Sequence, residues 1–230
     1  MNQPIDVLLY TISIWALPAL VAITLHEAAH ALAADRLGDP TAARLGRVSL
    51  NPLRHVDPFG TILLPGMLLL VHSPFLFGYA KPVPVDVRAL RHPRLGMVLV
   101  AAAGPAMNLI LAVIAAVAFR ALETTSGTVG EWTVHNLRNA VLLNVVLAVF
   151  NLFPLPPLDG GRIAVGLLPK ALAFPLARLE PYGMLILIGL LVLLPLLGDQ
   201  LGLDLAVVSR TLSGAINLVL EAILRLTGIL

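Results

Sequence analysis

With 230 residues, 58% of them hydrophobic and 12% charged, and a mean hydropathy of +0.92, the chain has too little polar surface to stay dissolved in water. Its net charge of +2 excludes nothing by itself, but the absence of cysteine rules out disulfides and thiolate ligands, leaving histidine and carboxylate for any metal. Apolar runs long enough to cross a bilayer, and no alternation of the barrel type, give the expected class. It is all-α membrane, a polytopic helical bundle of five to six transmembrane helices with a re-entrant or short membrane-embedded segment and short extended strands.

In chain order, the opening MNQPIDVLLY lacks a basic region and a cleavage site, and reads as the start of the first span. Residues 7–35 are the first apolar run, stopped at Gly38-Asp39-Pro40. A polar connection over 40–58 leads to a second apolar stretch, 59–77, with Pro65-Gly66 inside it. Residues 78–94 are polar and basic; apolar runs follow at about 95–119 and 137–153. The segment 154–161, PLPPLDGG, is expected to be non-helical because prolines break it and glycines loosen it. Two more runs occupy roughly 181–198 and 203–229.

Eleven of the fifteen positive charges lie in three stretches: Arg36 to Arg54, Lys81 to Arg94, and Arg162 to Arg178. The positive-inside rule puts all three in the cytoplasm. Residues 59–77 must then dip in and return, giving five spans with the N-terminus outside; a crossing there gives six.

Within the first run, His26-Glu27-Ala28-Ala29-His30 matches H-E-x-x-H. Four helical residues turn through about 400°, so both histidines project from one face toward one ion. Glu27, one step round, is placed to take a proton from water that a zinc ion acidifies. Three ionisable groups inside a span are costly unless they bind or conduct something; packing and a buried ion pair are the alternative. A third protein ligand is needed. Glu123, Glu131, Glu180 and Glu221 qualify by chemistry, but Asp159 stands out, in a Pro- and Gly-bounded turn on the same cytoplasmic side as the end of the first helix. Its alternative role is the N-cap of a helix starting near Arg162.

At this point the chain resembles the site-2 protease family of intramembrane zinc proteases. The family pairs H-E-x-x-H with N-x-x-P-x-x-x-x-D-G, here Asn151 to Gly160. Further agreement lies at Asn51 to Gly60 (NPLRHVDPFG), Gly78 to Val85 (GYAKPVPV) and Gly104-Pro105-Ala106-Met107-Asn108. The resemblance is to the compact prokaryotic subgroup without PDZ or CBS domains, and covers about 20–165.

The resemblance implies one Zn²⁺ per chain, with His26, His30 and Asp159 as metal ligands and Glu27 as the catalytic base. It implies that Asn151 steadies the substrate carbonyl or oxyanion, packing beside Asn144 being the alternative. His55 and Asp57 either organise their loop or gate the metal. Lys81 is read as a headgroup or loop contact, Gly104 and Asn108 as close helix packing with one interhelical hydrogen bond.

Residues 1–230 are expected to be one integral membrane domain, with a catalytic core over about 7–165 and C-terminal helices over about 166–230. The expected activity is zinc-dependent endopeptidase cleavage within transmembrane segments of substrate proteins, as in regulated intramembrane proteolysis. The expected location is a prokaryotic inner membrane, with the active site nearer the cytoplasm. Partners are transmembrane-helix substrates and the lipid bilayer, with no nucleic acid. A metal-ion transporter and an inactive helix-binding relative are the alternatives. Pro154–Gly161 is expected to line a water path, and extended stretches near 45–50 or 79–85 to pair with an unwound substrate.

Overall fold

A computed structural model describes residues 5–63, 67 and 80–230. The first helix, α1 (Ile5–Arg36), is 32 residues long, about 48 Å at 1.5 Å per residue, more than the apolar thickness of a bilayer. It ends where the sequence predicts: Gly38 takes φ +113°, and the buried Asp39 carboxylate accepts from Thr41 N (2.9 Å) and Asp86 N (2.7 Å). A short α2 (Thr41–Arg44), a 3₁₀ turn (Pro52–Arg54) and a π-helical turn (Pro58–Leu63) follow. Whether 59–77 crosses or re-enters, and the motif residues Gly78 and Tyr79, lie outside the described residues.

The chain returns at Ala80 as a non-helical segment to residue 86, then turns over 87–89 into α3 (Pro93–Leu122). This 80–91 segment is fixed at both ends, by Lys81 N donating to His55 O (2.9 Å) and Arg91 N to Leu37 O (3.0 Å). Next come α4 (Thr128–Asn151), α5 (Asp159–Leu167) and α6 (Lys170–Ala177). Then α7 (Gly183–Ile188) runs through a π turn (Gly189–Leu193) into α8 (Leu194–Leu201), and α9 (Val207–Leu226) closes the order.

Among the described residues, five helical segments are long and apolar enough to cross a membrane: Ile5–Arg36, Pro93–Leu122, Thr128–Asn151, Lys170–Gly198 and Val207–Leu226. The all-α polytopic class therefore holds. Three expectations are corrected. The fourth segment starts at Lys170 instead of 181, because Pro175 sits inside α6 without ending it and Pro181 falls in a 3₁₀ turn. Helix begins at Asp159, inside the stretch expected to be non-helical, since the prolines end at Pro157. The short extended strands do not form among the described residues; 45–50 is turn and bend, and 80–86 pairs with no strand.

Helices α1, α3 and α4 pack together, and their contacts are made by small side chains. Ala112, Ala115 and Ala116 of α3 meet Val141 and Val145 of α4 and Ile223 of α9. Between lipid-solvated helices there is no water to expel, so close van der Waals packing and interhelical polar bonds must hold them, which suits alanine. Facing away, Ile110, Ile114 and Val117 are exposed, as a lipid-solvated surface requires. Two small clusters fix the site's surroundings: Ala34, Leu90 and Val100 tie α1, the 80–91 segment and α3 together, and Leu155, Leu158 and Leu187 seat the proline turn on α7.

Candidate metal centre

Helix geometry brings His26 and His30 onto one face, and their Nε2 atoms lie 3.0 Å apart. Each Nε2 is 3.2 Å from Asp159 Oδ2, and all three side chains are buried. Asp159 is the first residue of α5, with Leu158 at the cap position, so it does not act as the N-cap. Its helix can start there because Gly160 and Gly161 lie flat on the proline turn. A Cβ on Gly160 would sit 2.1 Å from Leu152 O, and one on Gly161 2.1 Å from Pro156 N.

The hydrogen bonds settle which ring nitrogens carry protons. Asn108 Nδ2 donates to Asn144 Oδ1 (2.8 Å) and Ala22 O (3.3 Å), which turns Asn108 Oδ1 toward His26 Nδ1 at 2.6 Å. An amide oxygen only accepts, so His26 Nδ1 is the protonated nitrogen. His30 Nδ1 likewise donates to Val100 O at 2.7 Å. Each neutral imidazole then turns a lone pair inward from Nε2. Asp159 Oδ2, buried, receives no hydrogen bond. With both rings neutral, three acceptors converge within 3.0–3.2 Å of one another, an arrangement that repels itself unless a proton or a metal cation joins it.

The donors also fit zinc in size. Tetrahedral ligands at about 2.0–2.2 Å from the ion stand about 3.3–3.6 Å apart, slightly more than the 3.0–3.2 Å found. Two histidines and one carboxylate leave a fourth position free, the pattern of a catalytic site, and both histidines have the outer hydrogen-bond partners that such ligands need.

Gly104 makes room for the rings. A Cβ there would lie 2.3 Å from His30 Nε2 and 2.6 Å from His26 Cε1. Close packing at Gly104 and an interhelical hydrogen bond from Asn108 are both present, and both act on the imidazoles: one accommodates the rings and the other orients one of them. The residue type was visible in the sequence, a lone Asn four residues after a Gly in an apolar span, but not the partner it faces.

A cavity of about 410 Å³ opens on the cluster, and Glu27, Asn151 and Arg162 share its wall with the three groups. Glu27 is half-buried. Asn151 donates one amide hydrogen to Leu147 O (3.0 Å), leaving the other available. Arg47, in sequence one of the basic charges of the first connection, is buried beneath the 80–91 segment. It donates to Arg54 O, Lys81 O and Pro82 O. Burial pushes its guanidinium below the ordinary range, and the negative charge of Glu27 opposes that shift.

Other candidates fall elsewhere. His55 is buried in its own loop with Nε2 2.8 Å from Ser49 O, and Asp57 Oδ1 accepts from Phe59 N (3.0 Å) and Gly60 N (2.7 Å). Both organise the loop, and neither lines the cavity. The Lys81 side chain is exposed while its backbone joins the loop. Glu123 and Glu131 are exposed at the α3–α4 connection, Glu180 lies 3.7 Å from Arg162, and Glu221 pairs with Arg225 at 2.6 Å. His135 meets Tyr10 Oη at 2.6 Å, and His92 precedes α3; His72 lies outside the described residues.

Apolar spanning helices around a buried cluster of two histidines and a carboxylate, with a second carboxylate beside it, define a membrane metallohydrolase. The model of peptidase family M50 matches residues 121–194, which include Asn151 and Asp159. The chain is 41% identical over 181 residues to "Putative zinc metalloprotease YwhC" of Bacillus subtilis (strain 168), covering 75% of this chain and 77% of that protein. It is 32% identical over 174 residues to "Putative zinc metalloprotease Rip2" of Mycolicibacterium smegmatis, covering 75% of this chain and 64% of that one. For the Rip2 of Mycobacterium tuberculosis (strain H37Rv) the figures are 33% over 141 residues, 61% and 52%. No solved structure matches the chain. The chain belongs to peptidase family M50, the site-2 proteases, and is a multi-pass membrane metalloendopeptidase with zinc as its cofactor.

Proposed function

We propose that the chain hydrolyses peptide bonds inside transmembrane segments of protein substrates, as regulated intramembrane proteolysis requires. His26, His30 and Asp159 hold one zinc ion, and Glu27 and Asn151 act on the substrate. The observation that carries this reading is the convergence of two inward-facing Nε2 atoms and one buried carboxylate within a bundle of helices long and apolar enough to span a membrane. Zinc so held supplies Lewis acidity, polarising a carbonyl and acidifying water.

The remaining work falls to side chains. Asn108 and the Val100 carbonyl accept from the two Nδ1–H groups and so orient both imidazoles with Nε2 inward, which preserves the ligand set. Glu27 takes a proton from the attacking water as the carbon–oxygen bond forms, and returns it to the nitrogen as the carbon–nitrogen bond breaks. The free Asn151 amide hydrogen meets the carbonyl oxygen where negative charge develops. A substrate helix must open to present its carbonyl, so segments with Gly, Pro or Asn near the cut are preferred.

The site lies toward the basic end of the bundle. His30 is six residues from the end of α1 at Arg36, about 9 Å along the axis. Arg44, Arg47, Arg54, Lys81 and Arg88 surround that end in sequence. By the positive-inside rule these charges support a site nearer the cytoplasmic face, in keeping with a prokaryotic inner membrane as the proposed location. A transporter would need ligand groups at other depths. Among the described residues, His26, His30 and Asp159 form the one such cluster.

The test is the Glu27→Gln protein, purified and given a transmembrane model substrate. It is expected to keep its zinc and lose hydrolysis by a factor of about 10³ or more. Cleavage at wild-type rate by that protein rejects the mechanism.

A further inference from the structure

Beside the metal cavity lies a second one of about 380 Å³, bounded by the 83–87 stretch, the start of α3, α5 and α6. Val83, Val85, Met97 and Arg162 belong to both walls, so the two spaces adjoin. Val83, Val85 and Val87 all face the second cavity, and Val165 and Ala177 close it from α5 and α6. These walls are apolar, and three charged residues border them: Arg94, Arg162 and Glu180.

Arg94 is occupied at the end of α5, where it donates to Gly166 O (3.1 Å) and Leu168 O. Arg162 is different. It stands one helical turn after Asp159, and its ion-pair partner, Glu180, is 3.7 Å away with its side chain 52% exposed. At that length the pair is beyond hydrogen-bond distance and exchanges readily for a better acceptor.

We propose that the second cavity is a subsite taking a large apolar side chain of the substrate beside the cut bond. In it, Arg162 binds substrate directly, donating to a backbone carbonyl of the same stretch. This rests on the proposed proteolysis at the metal cavity. A segment unwound there leaves its helix with carbonyls that have lost their backbone donors and need new ones. A guanidinium with five donors at the junction of the two spaces meets that need. Its side chains are apolar because they came from lipid, and an apolar pocket selects among them by size.

The experiment uses the full-length zinc-loaded protein and transmembrane peptides that differ only by Phe or Ala at single positions within three residues of the cut. The Phe:Ala ratio of kcat/KM is expected to reach about tenfold or more at one position. Val165→Phe and Ala177→Phe, which fill the cavity from different helices, are expected to bring that ratio to about one. Arg162→Gln is expected to raise KM about tenfold with kcat little changed, and Arg162→Lys to recover part of the loss. Should both filling variants cleave nothing, the Phe:Ala affinity ratio is read by peptide binding in the Glu27→Gln background, with the same two expectations.

A wild-type ratio near one, as an enclosed lipid chain would give, overturns the proposal. So does a ratio that both filling variants leave unmoved, or an Arg162→Gln protein that loses kcat at constant KM. Cleavage at wild-type rate by Glu27→Gln protein overturns the proteolytic mechanism instead, so the two failures are distinct.

Discussion

Replacing Gly104 by alanine adds one methyl group and should disable the metal centre. The new Cβ would lie 2.3 Å from His30 Nε2 and 2.6 Å from His26 Cε1, where ordinary contacts begin at about 3.5 Å. Relief requires a relative movement of about 1 Å. The rings cannot give it freely, because Val100 O and Asn108 Oδ1 hold their Nδ1 atoms at 2.7 and 2.6 Å. Metal ligands tolerate displacements of about 0.2 Å, so a shift several times larger is expected to weaken zinc binding by a factor of about 100 or more, about 2.7 kcal/mol. If α3 moves instead, its alanine contacts with α4 open and thermal stability falls. The assay is competitive chelator titration of purified protein, read beside a melting curve and hydrolysis of a transmembrane substrate. Gly214→Ala is the control: a Cβ there meets nothing within 4 Å, so zinc and activity should persist. A Gly104→Ala protein with wild-type zinc affinity and an unchanged melting curve would refute the reasoning.

Three further outcomes follow from the same geometry. Asn108→Ala is expected to weaken zinc binding by about 10–100-fold, and Asn108→Asp by less, because a carboxylate still accepts from His26 Nδ1; chelator competition separates the two. Arg47→Met removes the donor that ties Lys81 O and Pro82 O to the loop carbonyl of Arg54, so limited proteolysis within 80–91 should quicken. Asp39 carries a pH signature: burial alone would raise its pKa, but hydrogen bonds from Thr41 and Asp86 N–H, aided by Arg44, hold it below the ordinary range. With its folded value lowered, the stability it contributes is complete above about pH 4 and is lost as pH falls through that lowered value. Melting curves of Asp39→Asn protein should therefore start lower near neutral pH and decline less below about pH 4.

What the sequence made legible was whatever depends on spacing within one element. His26 and His30 share a face because the helix repeat demands it, and α1 stops at Gly38-Asp39-Pro40 because that triplet ends helices. The proline turn also announced Asp159 as a group held rigidly in place. Its place in the first turn of α5 did not show, because the glycines that permit an early helix start look in sequence like further loop. Asn108 was visible as a polar residue in an apolar run, but which helix it faces depends on how α3 rotates against α1 and α4, and local sequence does not encode that rotation. Arg47 was hidden for a related reason. In a basic connection a single arginine reads as surface charge, and only the fold lays Lys81 and Pro82 over it.

The whole account rests on the ligand set, and zinc stoichiometry of purified wild-type and Asp159→Ala proteins tests it most directly. One zinc per chain in the wild type, and a small fraction of that in the variant at equal folded protein, is the predicted result. Equal zinc in both proteins would contradict it.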